Sequence, residues 1–313
     1  MKKWIDSIVI VLFCCVLCKC SSKVDTNVVH LKDIGGSYEW RNYKIVEGTQ
    51  LSLHIFYPYG HKFSDSRPAV VCIHGGGFAG GHPYLFYPHC RYFASRGAVA
   101  ISINYRLVDE KGLEAFDAIK DCLADCKSAI RYIRSNAGTI GIDPDRIAVV
   151  GDSAGGHLAA ALGTIDDFDD PGEDLSVSSM ANAMVLYNPV VDVNLPTLID
   201  LFKVEETGSA LKEHTDLISP VYYVAKGQPP ALVMHGTADT NVPIEQSYRF
   251  TEAMKKSGNR CEMHALEGTK HAFVIVGYGT ESTIVNALRV TDRFLVSLGY
   301  LEGEPTIEMS ERE

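Results

Sequence analysis

The sequence predicts an α/β protein built on a mostly parallel, doubly wound sheet, and three features point there. Short continuous apolar runs at residues 69–73, 98–103, 147–150, 183–186 and 231–234 suit strands buried on both faces. Segments with helical spacing of apolar residues, at 115–137, 244–257 and 284–298, alternate with them. The composition of the 313 residues is ordinary for a globular chain, 46% hydrophobic and 22% charged, which argues against a disordered or collagen-like protein. Buried strands alternating with amphipathic helices form a parallel sheet covered on both sides.

Taken in order, the elements are as follows. Residues 51–57 alternate (Leu-Ser-Leu-His-Ile-Phe-Tyr) and read as a strand with one exposed face. Residues 43–46 pair with it across the Glu47-Gly48 turn, so the first strands are antiparallel. Residues 69–73 and 98–103 are the first buried strands. The helix at 115–137 carries Ala118, Ile119, Leu123, Ala129, Ile130 and Ile133 near helical spacing. Residues 147–150 form a strand and 156–163 a helix-like run. The acidic, breaker-rich stretch 166–179 reads as a solvated loop, because its carboxylates lack the spacing and closing Glu of an EF-hand. Residues 192–220 contain no core strand and read as a small cap over the C-terminal edge of the sheet. Residues 231–234 and 261–265 supply further strands, and 284–298 the last helix. On this reading the body spans 43–301, after a linker at 20–42 and before a tail at 302–313.

The N-terminus reads as an address. Lys2 and Lys3 precede an apolar run at 8–17 that is too short to span a bilayer and fits a secretory signal peptide. Leu17-Cys18-Lys19-Cys20 resembles a bacterial lipobox, in which residues 1–19 are removed and Cys20 is lipidated. Lys19 departs from that pattern, and plain secretion is the alternative. The expected location is therefore the cell envelope, with a lipid as the membrane attachment, or the exterior. Removing residues 1–19 takes away three lysines and one aspartate and moves the net charge from −10 to −12. So acidic a chain lacks the electrostatic footprint of a nucleic-acid binder. Four of nine cysteines lie within residues 1–20; the other five (Cys72, Cys90, Cys122, Cys126, Cys261) show no metal-ligand spacing, and their odd number leaves at least one thiol free.

Gly151-Asp152-Ser153-Ala154-Gly155 is a G-x-S-x-G in a strand–turn–helix context. Gly151 and Gly155 remove Cβ atoms that would collide in so sharp a turn, and Ser153 is left exposed as a nucleophile. His74-Gly75-Gly76-Gly77-Phe78 follows the strand at 69–73. Its glycines leave N–H groups free to stabilise an anion, and Gly76, Gly77 and Ala154 are assigned to that oxyanion hole. A serine needs a base, and His271 in the loop before the last helix is the candidate. The base needs a carboxylate, and Asp239 completes the order Ser…Asp…His, with Asp216 and Glu267 as fallbacks. His74 reads as a turn brace, His235 as a packing or turn residue, and Asp152 as a structural part of the elbow.

The residues at 74–77 and 151–156, with Asn104-Tyr105-Arg106-Leu107 and Gly141-Ile142-Asp143-Pro144, resemble the α/β-hydrolase superfamily. More narrowly they resemble the hormone-sensitive-lipase-like and acetyl-xylan/feruloyl-esterase-like serine esterases. The resemblance implies an α/β-hydrolase fold with a cap and a Ser153–His271–Asp239 triad hydrolysing a carboxylic ester without metal or organic cofactor. The hormone-sensitive-lipase group carries a longer helical N-terminal cap, whereas residues 24–68 here are short and strand-rich. That favours the carbohydrate-esterase branch, with acetylated or feruloylated polysaccharide as substrate. A broad short-chain carboxylesterase is the alternative, and a non-catalytic binding module on the same scaffold ranks below both.

Overall fold

The computed structural model describes residues 37–309, so the leader at 1–19 and the Cys20 lipidation site lie outside the described residues. Eight strands form one sheet in the order β1-β2-β4-β3-β5-β6-β7-β8. They are β1 (Tyr38–Val46), β2 (Thr49–Phe56), β3 (Arg67–Ile73), β4 (Val99–Ile103), β5 (Ile142–Asp152), β6 (Ala183–Tyr187), β7 (Ala231–Gly236) and β8 (Cys261–Leu266). Strand β2 runs antiparallel to both of its neighbours, and β3 to β8 are all parallel. The buried apolar runs of the sequence are therefore the parallel strands, as expected of segments covered on both faces.

Among the described residues the α-helices are, in chain order, α1 (Tyr87–Ser95), α2 (Glu114–Ser135), α3 (Ala137–Ile140), α4 (Ala154–Thr164), α5 (Pro196–Phe202), α6 (Ser209–Asp216), α7 (Glu245–Lys256) and α8 (Glu281–Ser297). Strand residues alternate between two cores. Val71, Ile73, Val149 and Leu186 pack with α2, α4 and α7 on one face, and Val70, Cys72, Val150 and Val185 pack with α1 and α8 on the other. Helix α4 is buried along its whole length. Its small residues let it lie against β6 so closely that a Cβ at Gly163 would sit 2.2 Å from Met184 Sδ. Among the described residues no helix is long and apolar enough to cross a membrane. The five cysteines of the body are all buried and free.

Two boundaries and the character of one loop differ from the sequence reading. Strand β1 begins at Tyr38, so residues 38–42 pair with β2 instead of forming linker, with Trp40 opposite His54. It is an edge strand with no deeply buried face, its large residues Tyr38 and Trp40 are exposed, and a register shift between Asn42 and Lys44 breaks its alternation. Residues 302–309 are tied to the body: Ile307 is buried in the second core, and Arg96 Nη2 donates to the Glu302 carbonyl at 2.7 Å. The acidic stretch 166–179 has neither helix nor strand but is not simply solvated. Asp169 pairs with Lys127 and Arg131, Glu173 with Arg131, and Asp170 with Lys44. Those cations lie on α2 and β1, too far away in sequence for spacing to reveal them. The cap at 192–220 contains helices α5 and α6 and no strand.

Helices α1 and α8 are clasped by one buried carboxylate. Asp292 accepts from Arg96 Nε at 2.7 Å, Arg96 Nη2 at 3.2 Å and Tyr92 Oη at 2.6 Å. Replacing Asp292 with alanine is expected to lower unfolding stability by about 3–5 kcal/mol, because a guanidinium and a phenol lose their buried partner. Urea unfolding of the wild type and D292A measures it.

Candidate active site

The chemistry-bearing residues converge at the C-terminal ends of the parallel strands, where loops leave a crevice. Strand β5 ends at Asp152 and α4 starts at Ala154, with Ser153 alone between them at φ 57°, ψ −119°. A non-glycine residue adopts a positive φ only where its surroundings enforce it. Here a Cβ at Gly151 would stand 2.0 Å from the Gly155 carbonyl oxygen, and one at Gly155 only 2.1 Å from that of Ile73. The two glycines of the motif are thus set by close backbone approach. Ser153 N–H donates to the Tyr187 carbonyl of β6 at 2.9 Å, which holds the turn to the neighbouring strand.

Asp239 follows β7 and His271 follows β8, two and three strands away from β5 in the sheet. The three side chains form a continuous hydrogen-bonded line. His271 Nε2 lies 2.9 Å from Ser153 Oγ, and His271 Nδ1 lies 2.6 Å from Asp239 Oδ2. An ionised Asp239 can only accept, so Nδ1 carries the proton and Nε2 is left to take one from Ser153. Asp239 Oδ1 accepts from the Asn241 and Val242 N–H groups at 2.8 and 2.9 Å. Asp216 instead pairs with Lys212 within α6, and Glu267 is exposed.

The electrostatics follow from burial and partners. Burial pushes the Asp239 carboxyl up, but hydrogen bonds from His235 and His271 and the positive charge of His271 hold it well below the usual carboxylate range. Burial pushes the His271 imidazole down, yet the hydrogen bond to Asp239 and the charges of Asp152 and Asp239 leave it above its ordinary value. Asp152, next to the serine, is buried and pushed up to about 6, with His271 and the Asn188 hydrogen bond opposing the rise.

The glycine loop packs directly on this elbow. A Cβ at Gly75 would lie 2.6 Å from the Asp152 carbonyl oxygen and 3.1 Å from Ser153 Cβ. Gly76 and Gly77 have φ of 127° and 62°, a conformation that turns the loop back on itself toward Gly80. The N–H of Ala154 belongs to the first turn of α4, where N–H groups have no partner within the helix. His74 is buried beneath the loop, its Nδ1 2.9 Å from the Gly75 carbonyl and its ring stacked on Tyr105 at 4.5 Å. Tyr105 Oη donates to the His74 carbonyl at 2.8 Å, and burial pushes the imidazole down to about 4, so His74 braces the loop. Helix α5 of the cap reaches over the loop: Leu201 Cδ2 would be 3.0 Å from a Cβ at Gly77. Sequence reasoning assigned no role to Tyr105 or Asn188, whose partners lie 31 and 36 residues away; no spacing in the chain signals either contact.

The chain is similar to known esterases over most of its length. The family model described as BD-FAE matches residues 53–254. The structure of the Thermogutta terrifontis esterase Est2 with propionate bound is 39% identical, with a TM-score of 0.77, covering 85% of this chain and 96% of that one. The butyrate-bound form of Est2 is 38% identical, with a TM-score of 0.76, covering 88% and 99%. The probable carboxylic ester hydrolase LipM of Mycobacterium tuberculosis is 28% identical over 224 residues, 68% of this chain and 51% of its own length. The chain thus spans about half the length of LipM, and of the esterase LipC likewise. The family match, the strand order and the serine elbow at the end of β5 together show that the chain belongs to the BD-FAE family and has the α/β-hydrolase fold.

Proposed function

We propose that this protein is a serine carboxylic-ester hydrolase working through Ser153, His271 and Asp239. The observation that carries the reading is the unbroken hydrogen-bonded line from Ser153 Oγ to Asp239, placed against a glycine-rich loop. Ser153 Oγ attacks the ester carbonyl while His271 Nε2 takes its proton. The carbonyl oxygen becomes an anion facing the N–H groups of Gly76, Gly77 and Ala154. The carbon–oxygen bond to the alcohol then breaks, and the imidazolium returns the proton to the leaving alcohol. Water attacks the acyl-enzyme, giving its proton to the same nitrogen, and the acid departs as the proton returns to Ser153. Asp239 stays ionised and stabilises the imidazolium throughout.

The acyl group of the preferred ester is short. Est2, similar along nearly its whole length, is described with propionate and with butyrate bound, and Leu201 of the cap stands close over Gly77. The alcohol side is polysaccharide, in keeping with the export signal read at residues 1–20, which puts extracellular polymers within reach. Acetyl, propionyl and butyryl phenyl esters are expected to be cleaved with kcat/KM at least about tenfold above decanoyl and longer ones, since each unaccommodated methylene costs about 1–3 kcal/mol. A chain-length panel, run beside acetate release from acetylated xylan and ferulate release from a feruloylated oligosaccharide, tests both halves. A maximum at long chains removes the short-acyl reading, and inertness toward both carbohydrate esters removes the polysaccharide.

A further inference from the structure

We propose that His235 is a positioning residue for the triad, holding the Asp239 carboxylate in the rotation that His271 requires; this rests on the esterase reading above. His235 lies in β7, fully buried, four residues before Asp239. Its Nε2 stands 2.9 Å from the Val242 carbonyl oxygen and 3.2 Å from Asp239 Oδ2. Both neighbours are acceptors, so Nε2 carries a proton; its N–H bonds to the Val242 carbonyl, and Asp239 Oδ2 lies beside it within ion-pair reach. Its Nδ1 lies 2.6 Å from Ser247 Oγ of α7, which pins the ring from the other side.

The contact matters because of what surrounds Asp239. An ionised carboxylate has about four sites for donors. Asn241 and Val242 N–H groups fill the two on Oδ1, and His271 takes one on Oδ2. His235 stands at the other. The Asp239 side chain has no solvent exposure, so a site vacated there is not readily refilled by bulk water. His235 also grips the Val242 peptide by its carbonyl while Asp239 accepts from the N–H of the same residue. The imidazole therefore locks the loop from Asp239 to Val242 as one unit, and with it the oxygen that orients His271. The sequence reading of His235 as a packing or turn residue fits its hold on Val242, and its place beside Asp239 adds to it. The charged and titratable groups that bear on His271 are Asp239 and Asp152, so the effect of His235 on catalysis passes through Asp239.

The test compares the wild type with His235→Leu, His235→Gln and Ser247→Ala. Leucine keeps volume and removes the donor; glutamine can return an N–H at the Nε2 position; alanine at 247 frees the ring. H235L is expected to lose about 10- to 100-fold in kcat with KM nearly unchanged, the scale of a buried polar partner left unpaired. H235Q is expected to recover at least half of that loss on a logarithmic scale, and S247A to fall between wild type and H235L. The second readout is the far-downfield proton resonance of His271 Nδ1–H against Asp239, which needs no substrate: it is expected to weaken or move upfield in H235L and to return in H235Q. Where H235L fails to fold, H235Q and S247A carry the same two readouts. An active wild type with kcat and resonance unchanged in the folded variants overturns the positioning role. An inactive wild type that still shows the resonance overturns the esterase reading and leaves the His235 contact to be judged by the resonance alone.

Discussion

Replacing Ser153 with alanine is expected to lower kcat by about five to six orders of magnitude while leaving substrate binding nearly intact. The hydroxyl supplies the oxygen that lies on His271 Nε2, at 2.9 Å, and without it the base loses the nucleophile it would activate. The glycine loop and the first turn of α4 keep their shape, so the oxyanion donors remain and a residual catalysis by bound water persists. The effect is separable from misfolding. A methyl group fits where a hydroxymethyl stood, and the positive φ at this position is enforced by the backbone packing of Gly151 and Gly155 in both proteins. The checks are steady-state kinetics on a butyryl ester and labelling with a serine-reactive phosphonate. Wild type is expected to label stoichiometrically and S153A to remain unlabelled. Unaltered turnover in S153A would remove the serine from the reaction.

Replacing Asp239 with asparagine is expected to cost about four orders of magnitude in kcat at pH 7. The amide is nearly isosteric, but it can present an N–H toward His271 Nδ1 in place of an acceptor. That favours the tautomer with the proton on Nε2, the nitrogen that must be free to receive the proton of Ser153. The pH profile gives a second, independent sign. In wild type the His271 imidazole is held above its ordinary value, chiefly by Asp239 once burial is set against it. The base works deprotonated, so activity should rise with pH through an acid limb above about 6.5. The asparagine variant loses both the hydrogen bond to a carboxylate and its charge. Its residual acid limb should therefore move to lower pH, with Asp152 as the remaining negative neighbour. A limb that stays in place would assign the shift to Asp152. The same linkage affects stability. Asp239 has a depressed folded pKa, so its contribution is present at neutral pH and is lost as pH falls below the ordinary carboxylate range. His271 acts in the opposite direction, its raised value favouring the fold below about 6.5 and ceasing to do so as pH climbs past it.

The sheet was legible because parallel strands are buried on both faces and must therefore be continuously apolar; residues 69–73, 147–150, 183–186 and 231–234 satisfy that. Strand β1 escaped in its first half because an edge strand with partly exposed side chains needs no such pattern. The elbow was legible for a related reason. Its glycines are demanded by contacts within a few residues, so strand, turn and helix lie in one readable motif. Asp239 and His271 were assigned by chain order, which is weaker evidence; that Asp239 and not Asp216 or Glu267 meets His271 appears only when β7 and β8 lie side by side.

By itself the sequence determined the α/β class, the burial of the parallel strands and the place of the serine elbow, since each rests on local periodicity or on a turn only glycine can make. The tertiary structure decided which carboxylate meets His271 and that His235 stands behind it. It also decided that Tyr105 and His74 brace the glycine loop and that the acidic stretch at 166–179 is clamped to α2 and β1. Those are pairings of single polar side chains between distant segments. A hydrogen bond needs one partner at about 3 Å in a set direction, and two residues separated by dozens of others meet that condition without leaving any repeat or spacing in the chain.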